Sequence, residues 1–275
     1  MADNKQAQIT LHWLDGSRAQ RILWLLIALD VPYELKIYHR IKGVYAPPTL
    51  QKIFPLGKSP LVTVLPAGAP ADAEPLVLAE SGFIVDYLCS HFGQESNLVP
   101  KRWRDGCQGQ LGGETAAYLR FQYLMYYAEG SLMPYLVFYL VLSTLKGPTV
   151  PWFVRPLTSS IANQINSAFL LPNIRSNLQL METFLVHPPE PADGQGYICG
   201  DHLTAADILL SFPLLAARSR CQDMGPWNGG SAEAEFPVTF AYLDRLEREP
   251  GYQKSIAKIE EVDGKFSVLT TARGR

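Results

Sequence analysis

Charge is what this chain has least of. Charged residues fill 18% of its 275 positions, below the roughly 25% usual in soluble proteins. With hydrophobic residues at 47%, a disordered or supercharged chain is excluded and a folded core is expected. Neither sign prevails: 24 Lys and Arg oppose 26 Asp and Glu, and no long run of one sign occurs. That removes the electrostatic case for binding nucleic acid. Cysteine is scarce too. Cys89, Cys107, Cys199 and Cys221 are far apart, form no CxxC and have no histidine at ligand spacing, which argues against a zinc site, a disulfide framework or a vicinal redox pair. No metal is expected, and the thiols read as reduced. The amino terminus has no basic region followed by an apolar stretch, so no secretory signal is expected and the protein is expected to be cytoplasmic. No apolar run approaches the about 20 residues of a membrane span. The most apolar one, Leu132 to Leu142, has eleven residues including Pro134. It reads as a buried helix, not an integral membrane segment, with peripheral membrane contact as the alternative.

The patterns that are present divide the chain in two. Ile9 to Leu14 (ITLHWL) is a mostly apolar run, as for a strand covered on both faces. Arg18 to Leu29 follows with apolar positions 22, 25, 26 and 29 at helical spacing. Tyr33 to Tyr38 alternates with the period of two of a half-buried strand. After Ala46-Pro47-Pro48 a short helix through about Ile53 is expected, then a hairpin of Pro60 to Leu65 and Leu76 to Ala79. Ser81 to Phe92 carries Ile84, Leu88 and Phe92 every fourth residue, the stripe of a helix on a sheet. The expected order is βαβ-α-ββα over 1–93. Beyond about Gln94 strand patterns vanish, and 94–275 reads as an all-helical domain broken at Gly147-Pro148, at His187 to Gly196 and at Gly225 to Gly230. Thr204-Ala205-Ala206-Asp207 has the spacing of a capping box before an apolar helix.

Four strings, HWLDGSRAQRILWLL (12–26), APPTLQKIFPLGKSPLV (46–62), LAESGFIVDYL (78–88) and GDHLTAADILLSFPL (200–214), resemble glutathione transferases, and together the fungal Gtt class. The resemblance runs from about Ile9 to Tyr252. It implies an α/β thioredoxin-like amino-terminal domain that binds glutathione and an all-α carboxy-terminal domain that contributes the electrophile pocket. It further implies a homodimer, glutathione as co-substrate, and a small apolar electrophile as the second substrate.

Such chemistry needs a thiolate, and a thiol with a pKa near 8.5 is only a few per cent ionised at neutral pH. Ser17, the only hydroxyl in the loop Asp15-Gly16-Ser17-Arg18, stands where serine-type relatives carry their activating hydroxyl. A register shift of one would bring Arg18 to the sulfur instead, and a plain helix cap is the structural alternative for Ser17. The resemblance assigns Ser81 and Glu80 to the γ-glutamyl carboxylate and ammonium, at a helix start suited to an anion. It also implies a cis Ser59-Pro60 bond, with the Ser59 main chain facing the cysteinyl backbone. Lys58 and, more weakly, Lys42 are the candidates for a peptide carboxylate. Tyr118, Gln122, Met125, Tyr126 and Glu129 share a helical face, from which Tyr126 is named for the electrophile, although core packing explains the same stripe. Two other functions stay open: a non-catalytic glutathione-binding regulatory protein, or a glutathione-dependent peroxidase, isomerase or etherase.

Overall fold

The computed structural model describes residues 7–42, 45–70, 72–93, 96–148, 150–189 and 196–269. Most of the loop expected at 188–196 lies outside the described residues. Four strands, β1 (Gln8–Leu14), β2 (Glu34–Tyr38), β3 (Leu61–Leu65) and β4 (Leu76–Ala79), form one sheet in the order β2-β1-β3-β4. β1 runs parallel to β2 and antiparallel to β3, and β3 runs antiparallel to β4. The central position of β1 explains its composition: both edges are paired and Ile9 to Leu14 are all buried. β2, at the edge of the sheet, exposes Glu34 and Lys36 on one face and partly covers Leu35 and Ile37 on the other, which is why it alternates.

Helices α1 (Ala19–Ala28) and α2 (Ser81–Phe92) complete the expected βαβ and ββα units, with a 3₁₀ turn at Pro48–Lys52 between them. Leu50 of that turn packs with Leu14 and Leu61 on one face of the sheet. α1 packs on β1 and on α2. It is buried on all sides over Ala19 to Leu26, because α10 (Pro250–Asp263) also lies against it. Gly251 permits that approach, since a Cβ there would stand 2.7 Å from Trp24 Nε1. Trp24 in turn meets Tyr252 edge to face at 5.3 Å.

The chain divides into two compact units, 1–101 with 202–212 and 246–275, and 102–201 with 213–245. This differs from the single cut expected at 93/94. The first turns of α7 (Ala205–Met224) and all of α10 fall in the first unit, where α10 packs on α1. The capping box at α7 forms as expected from its spacing, with Asp207 fully buried. One carboxylate oxygen of Asp207 accepts from the Thr204 N–H (2.7 Å) and from the Thr204 hydroxyl (2.6 Å).

The second unit is helical, but it starts later than its composition suggests. Residues 102–115 make successive turns with Gly106, Gly109 and Gly112 at φ 73–75°, and α3 begins only at Ala116 (Ala116–Tyr127). A π turn at Ala128–Leu132 leads into α4 (Met133–Thr144), and a second at Asn166–Leu170 joins α5 (Arg155–Ile165) to α6 (Leu171–Val186). The apolar run that reads as a buried helix is α4, and only one side of it is buried: Met133, Leu136, Tyr139 and Leu142 are covered while Val137, Phe138 and Val141 are exposed. No helix among the described residues is long and apolar enough to cross a membrane. Beyond α7, a short α8 (Ala232–Glu235) precedes α9 (Pro237–Arg248). Glu182 caps the start of α9, accepting from Val238 N–H (3.0 Å) and from the Thr239 N–H (2.7 Å) and hydroxyl (2.6 Å).

Candidate functional site

Register alone gathers the candidate residues. His12 pairs with Lys36 and with Leu61, and Leu61 pairs with Ala79. The carboxyl ends of β1, β2 and β4 and the amino end of β3 therefore lie at one end of the sheet. From that end emerge the loops 15–18, 39–42, 58–60 and 80–81, and such ends are where open α/β sheets bind ligands.

The loop after β1 is held by Arg40. Its guanidinium donates to the carbonyls of Asp15 and Gly16, both at 3.0 Å, and its N–H donates to Asp15 Oδ1 at 2.8 Å. Gly16 takes φ 52°, a left-handed turn that sets the next residue at the start of α1. That residue is Ser17, 4% exposed. Its Oγ accepts from the Ala19 N–H at 3.1 Å and lies 3.0 Å from Ser59 Oγ. Ser17 thus accepts from the first N–H of α1 from one residue before the N-cap position, Arg18, and the same hydroxyl meets the loop before β3. Arg18 turns elsewhere, its guanidinium 5.7 Å from the centre of the Phe212 ring.

The Ser59-Pro60 peptide bond is cis and Pro60 is buried. Lys58 and Lys42 are exposed, the latter at φ 51°. At the end of β4, Glu80 is exposed and adopts φ 72°, ψ 121°. A residue with a Cβ reaches that conformation only at a cost of order 1–3 kcal/mol, and such outliers concentrate at ligand-binding positions. The conformation sets Glu80 outside α2 and Ser81 at its first turn, 3% exposed. Ser81 Oγ accepts from Arg21 Nη2 at 2.9 Å, while Arg21 Nη1 donates to Leu209 O at 2.7 Å. The motifs single out neither Arg21 nor Arg40. Arg21 leaves one signal, a charged residue inside the unbroken apolar surface of α1.

Matching these features, a family model described as "Glutathione S-transferase, N-terminal domain" covers residues 7–90. Glutathione S-transferase 1 of Saccharomyces cerevisiae is 31% identical over 258 residues, which are 94% of this chain and 98% of its own. The chain belongs to the glutathione S-transferase family. Glutathione S-transferase 3 of Schizosaccharomyces pombe is also 31% identical, over 76% of this chain and 74% of its own. Among solved structures, a glutathione S-transferase of Actinobacillus pleuropneumoniae superposes with a TM-score of 0.64 at 28% identity, covering 97% of this chain and 98% of its own. A glutathione transferase homologue of Lodderomyces elongisporus, solved with two GSH per subunit, shares the fold with a TM-score of 0.62 at 19% identity over 90% of this chain and 97% of its own.

In this transferase the thiols of Cys89 and Cys221 are pushed up to about 12, chiefly by burial, so neither supplies a thiolate. Among the described residues no group of three His, Cys, Asp or Glu is arranged to hold a metal. In the helical unit Tyr126 is 76% exposed. The expected face is not continuous: Met125 is buried, and Glu129 lies in the π turn, where the spacing departs from 3.6 residues per turn. The same unit contains a cleft of about 620 Å³ lined by Tyr123, Tyr127, Tyr135, Phe138, Phe169 and Asn177 among others, and not by Tyr126.

Proposed function

We propose that this glutathione transferase binds glutathione at the end of the sheet where the four loops emerge, ionises its thiol beside Ser17, and presents the thiolate to a small apolar electrophile. The observation that carries the reading is the Ser17 hydroxyl, held by the Ala19 N–H and paired with Ser59 Oγ. When Ser59 donates to Ser17, the Ser17 proton is directed to the sulfur. The amino end of α1 adds its positive dipole end, and a hydrogen bond to an anion exceeds one to a neutral acceptor. Depressing the thiol pKa by two units corresponds to about 2.7 kcal/mol. The released proton passes to solvent, the thiolate forms a carbon–sulfur bond, and the electrophile either expels its leaving group or takes up a proton. Positioning provides the remaining rate gain, with no covalent enzyme intermediate.

In this reading the γ-glutamyl carboxylate takes the Ser81 hydroxyl and the free N–H groups at the start of α2, and Glu80 takes the ammonium. The Ser59 main chain pairs with the cysteinyl backbone as an added strand would. Lys58, and Lys42 as the weaker candidate, meet the glycyl carboxylate; Tyr126 is assigned to the electrophile. The protein works as a homodimer. Its four free thiols suit the reducing cytoplasm, where glutathione is kept reduced.

The test is the ultraviolet thiolate signal of bound glutathione titrated with pH, for the wild type and Ser17→Ala, with affinity measured for both. Wild type that binds and ionises the thiol below its free pKa, beside a variant that binds without ionising it, supports the reading. Binding without thiolate in either protein favours a regulatory role. Thiolate that persists in the variant transfers the task to Arg18 or the helix end.

A further inference from the structure

Ser17 stands in a loop, and with Gly16 at φ 52° that loop has more backbone freedom than a helix or strand. A hydroxyl that is to meet a sulfur atom has to be held within about 0.5 Å of one position. The restraint comes from two sides. Toward β3, Ser17 Oγ meets Ser59 Oγ. Toward β2, the ladder ends with the Asp15 N–H donating to Tyr38 O at 3.2 Å, and beyond it a side chain takes over: Arg40, half-buried and two residues past the end of the strand. Its Nε donates to Asp15 O and its Nη2 to Gly16 O, each at 3.0 Å, so one planar fork holds two successive peptide planes. The Gly16 carbonyl belongs to the peptide unit that also contains the Ser17 nitrogen and Cα. With that plane fixed, the Ser17 hydroxyl has only the φ and χ1 of its own residue left, and the Ala19 N–H and Ser59 Oγ settle these.

We infer that Arg40 is a positioning residue for thiol activation: by holding the peptides of Asp15 and Gly16 it sets where the Ser17 hydroxyl stands, and so how far the glutathione thiol is ionised. It acts through the turn and not by contact with the sulfur. Its loss therefore falls on ionisation more than on affinity. The inference rests on the Ser17 reading above and deepens it, since it adds the residue that places the activating hydroxyl.

The experiment is the ultraviolet thiolate titration of bound glutathione on the full chain, for wild type, Arg40→Met, Arg40→Lys, Ser17→Ala and the double variants that combine Ser17→Ala with either Arg40 substitution. Calorimetric glutathione affinity, thermal melting and the conjugation rate at saturating glutathione, with chlorodinitrobenzene as the electrophile, accompany each protein. Arg40→Met should raise the pKa of the bound thiol by about one unit, which leaves about 10-fold less thiolate near neutrality, with glutathione affinity changed less than about 2-fold. Its conjugation rate should fall about 10-fold at pH 6.5 and return to within about 2-fold of wild type at pH 9.5, above the free thiol pKa. Arg40→Lys keeps the charge but offers a point donor in place of the fork and should lie between wild type and Arg40→Met; it carries the test if Arg40→Met does not fold. In the double variants the thiol should titrate as in Ser17→Ala alone, because Arg40 has no hydroxyl left to place. An unchanged thiol pKa in folded Arg40 variants overturns the positioning role. So does an equal shift with Ser17 already removed, the sign of a charge acting directly on the sulfur, and so does a rate deficit as large at pH 9.5 as at pH 6.5, the sign of a generally loosened site. Wild type that does not lower the thiol pKa, or Ser17→Ala that ionises the thiol as well as wild type, overturns the Ser17 reading, and this inference with it.

Discussion

Ser17 lies two residues before α1 and Ser81 opens α2; both are almost wholly buried, yet their hydroxyls are used differently. Ser17 is held by a backbone N–H and paired with another serine, all neutral groups. Ser81 is held by a buried guanidinium. At the start of α7, Thr204 directs both its N–H and its hydroxyl to Asp207, so its donors are spent inside the protein. The difference lies in how the groups are used: the donors of Thr204 end on one carboxylate inside the protein, whereas the Ser81 oxygen serves as acceptor for a guanidinium N–H. His12 is used like Thr204, since its two ring nitrogens meet Tyr38 Oη and Thr63 Oγ1, each at 3.1 Å.

That contrast breaks most visibly at α7. Asp207→Ala leaves two buried donors of Thr204 without their acceptor and should cost about 3–4 kcal/mol of stability, read by denaturant unfolding, with glutathione affinity of the folded protein unchanged. A variant as stable as wild type would refute the structural assignment. Ser17→Ala should act mainly on the chemistry, lowering conjugation kcat/KM about 100-fold, equivalent to about 2.7 kcal/mol, with glutathione affinity held and stability reduced by only about 0.5–2 kcal/mol because the Ala19 N–H loses its acceptor.

His12 sharpens the same division through pH. Burial first, then the nearby charge of Lys36, pulls its pKa from 6.5 to about 4. The unfolded chain therefore binds this proton more readily than the folded one. Its contribution is complete above pH 6.5 and declines as pH falls toward 4, by at most about 3 kcal/mol. Unfolding free energies at pH 7.5 and 4.5 should differ less in His12→Gln than in wild type; an equal acid loss in both would assign it to other groups. A smaller effect is expected at Glu80. Glu80→Gly relieves the positive φ and should leave stability unchanged or raised by about 1 kcal/mol, while glutathione affinity falls about 10-fold. Smallest of all, Tyr126→Ala should move stability by less than about 0.5 kcal/mol, because the side chain is exposed. It should alter only the kinetics toward the electrophile, and unchanged kinetics would remove Tyr126 from the site.

Much of the sheet unit was legible in the sequence because its signals are local. The burial of ITLHWL, the alternation of YELKIY and the every-fourth stripe of SGFIVDYLCSHF each follow from one element's surroundings, and each element lies within a residue or two of its expected bounds. The helical unit was less legible where glycine turns replace a helix at 102–115 and where two π turns shift the spacing. At the candidate site, Ser17, Glu80 and Ser81 stand out through short motifs. Arg21 and Arg40 do not, because their partners lie 60 and 25 residues away, or 188 in the case of Leu209.

What the sequence determined by itself is therefore the order of elements, the capping box at Thr204 and the family membership written in four short strings. These depend on neighbours within a few positions. Only the tertiary structure decided that α10 covers α1, that Arg40 clamps the turn before Ser17, and that Arg21 rather than solvent meets Ser81. Each of those joins groups distant along the chain, and a buried polar atom takes whichever partner the folded backbone brings within hydrogen-bond reach.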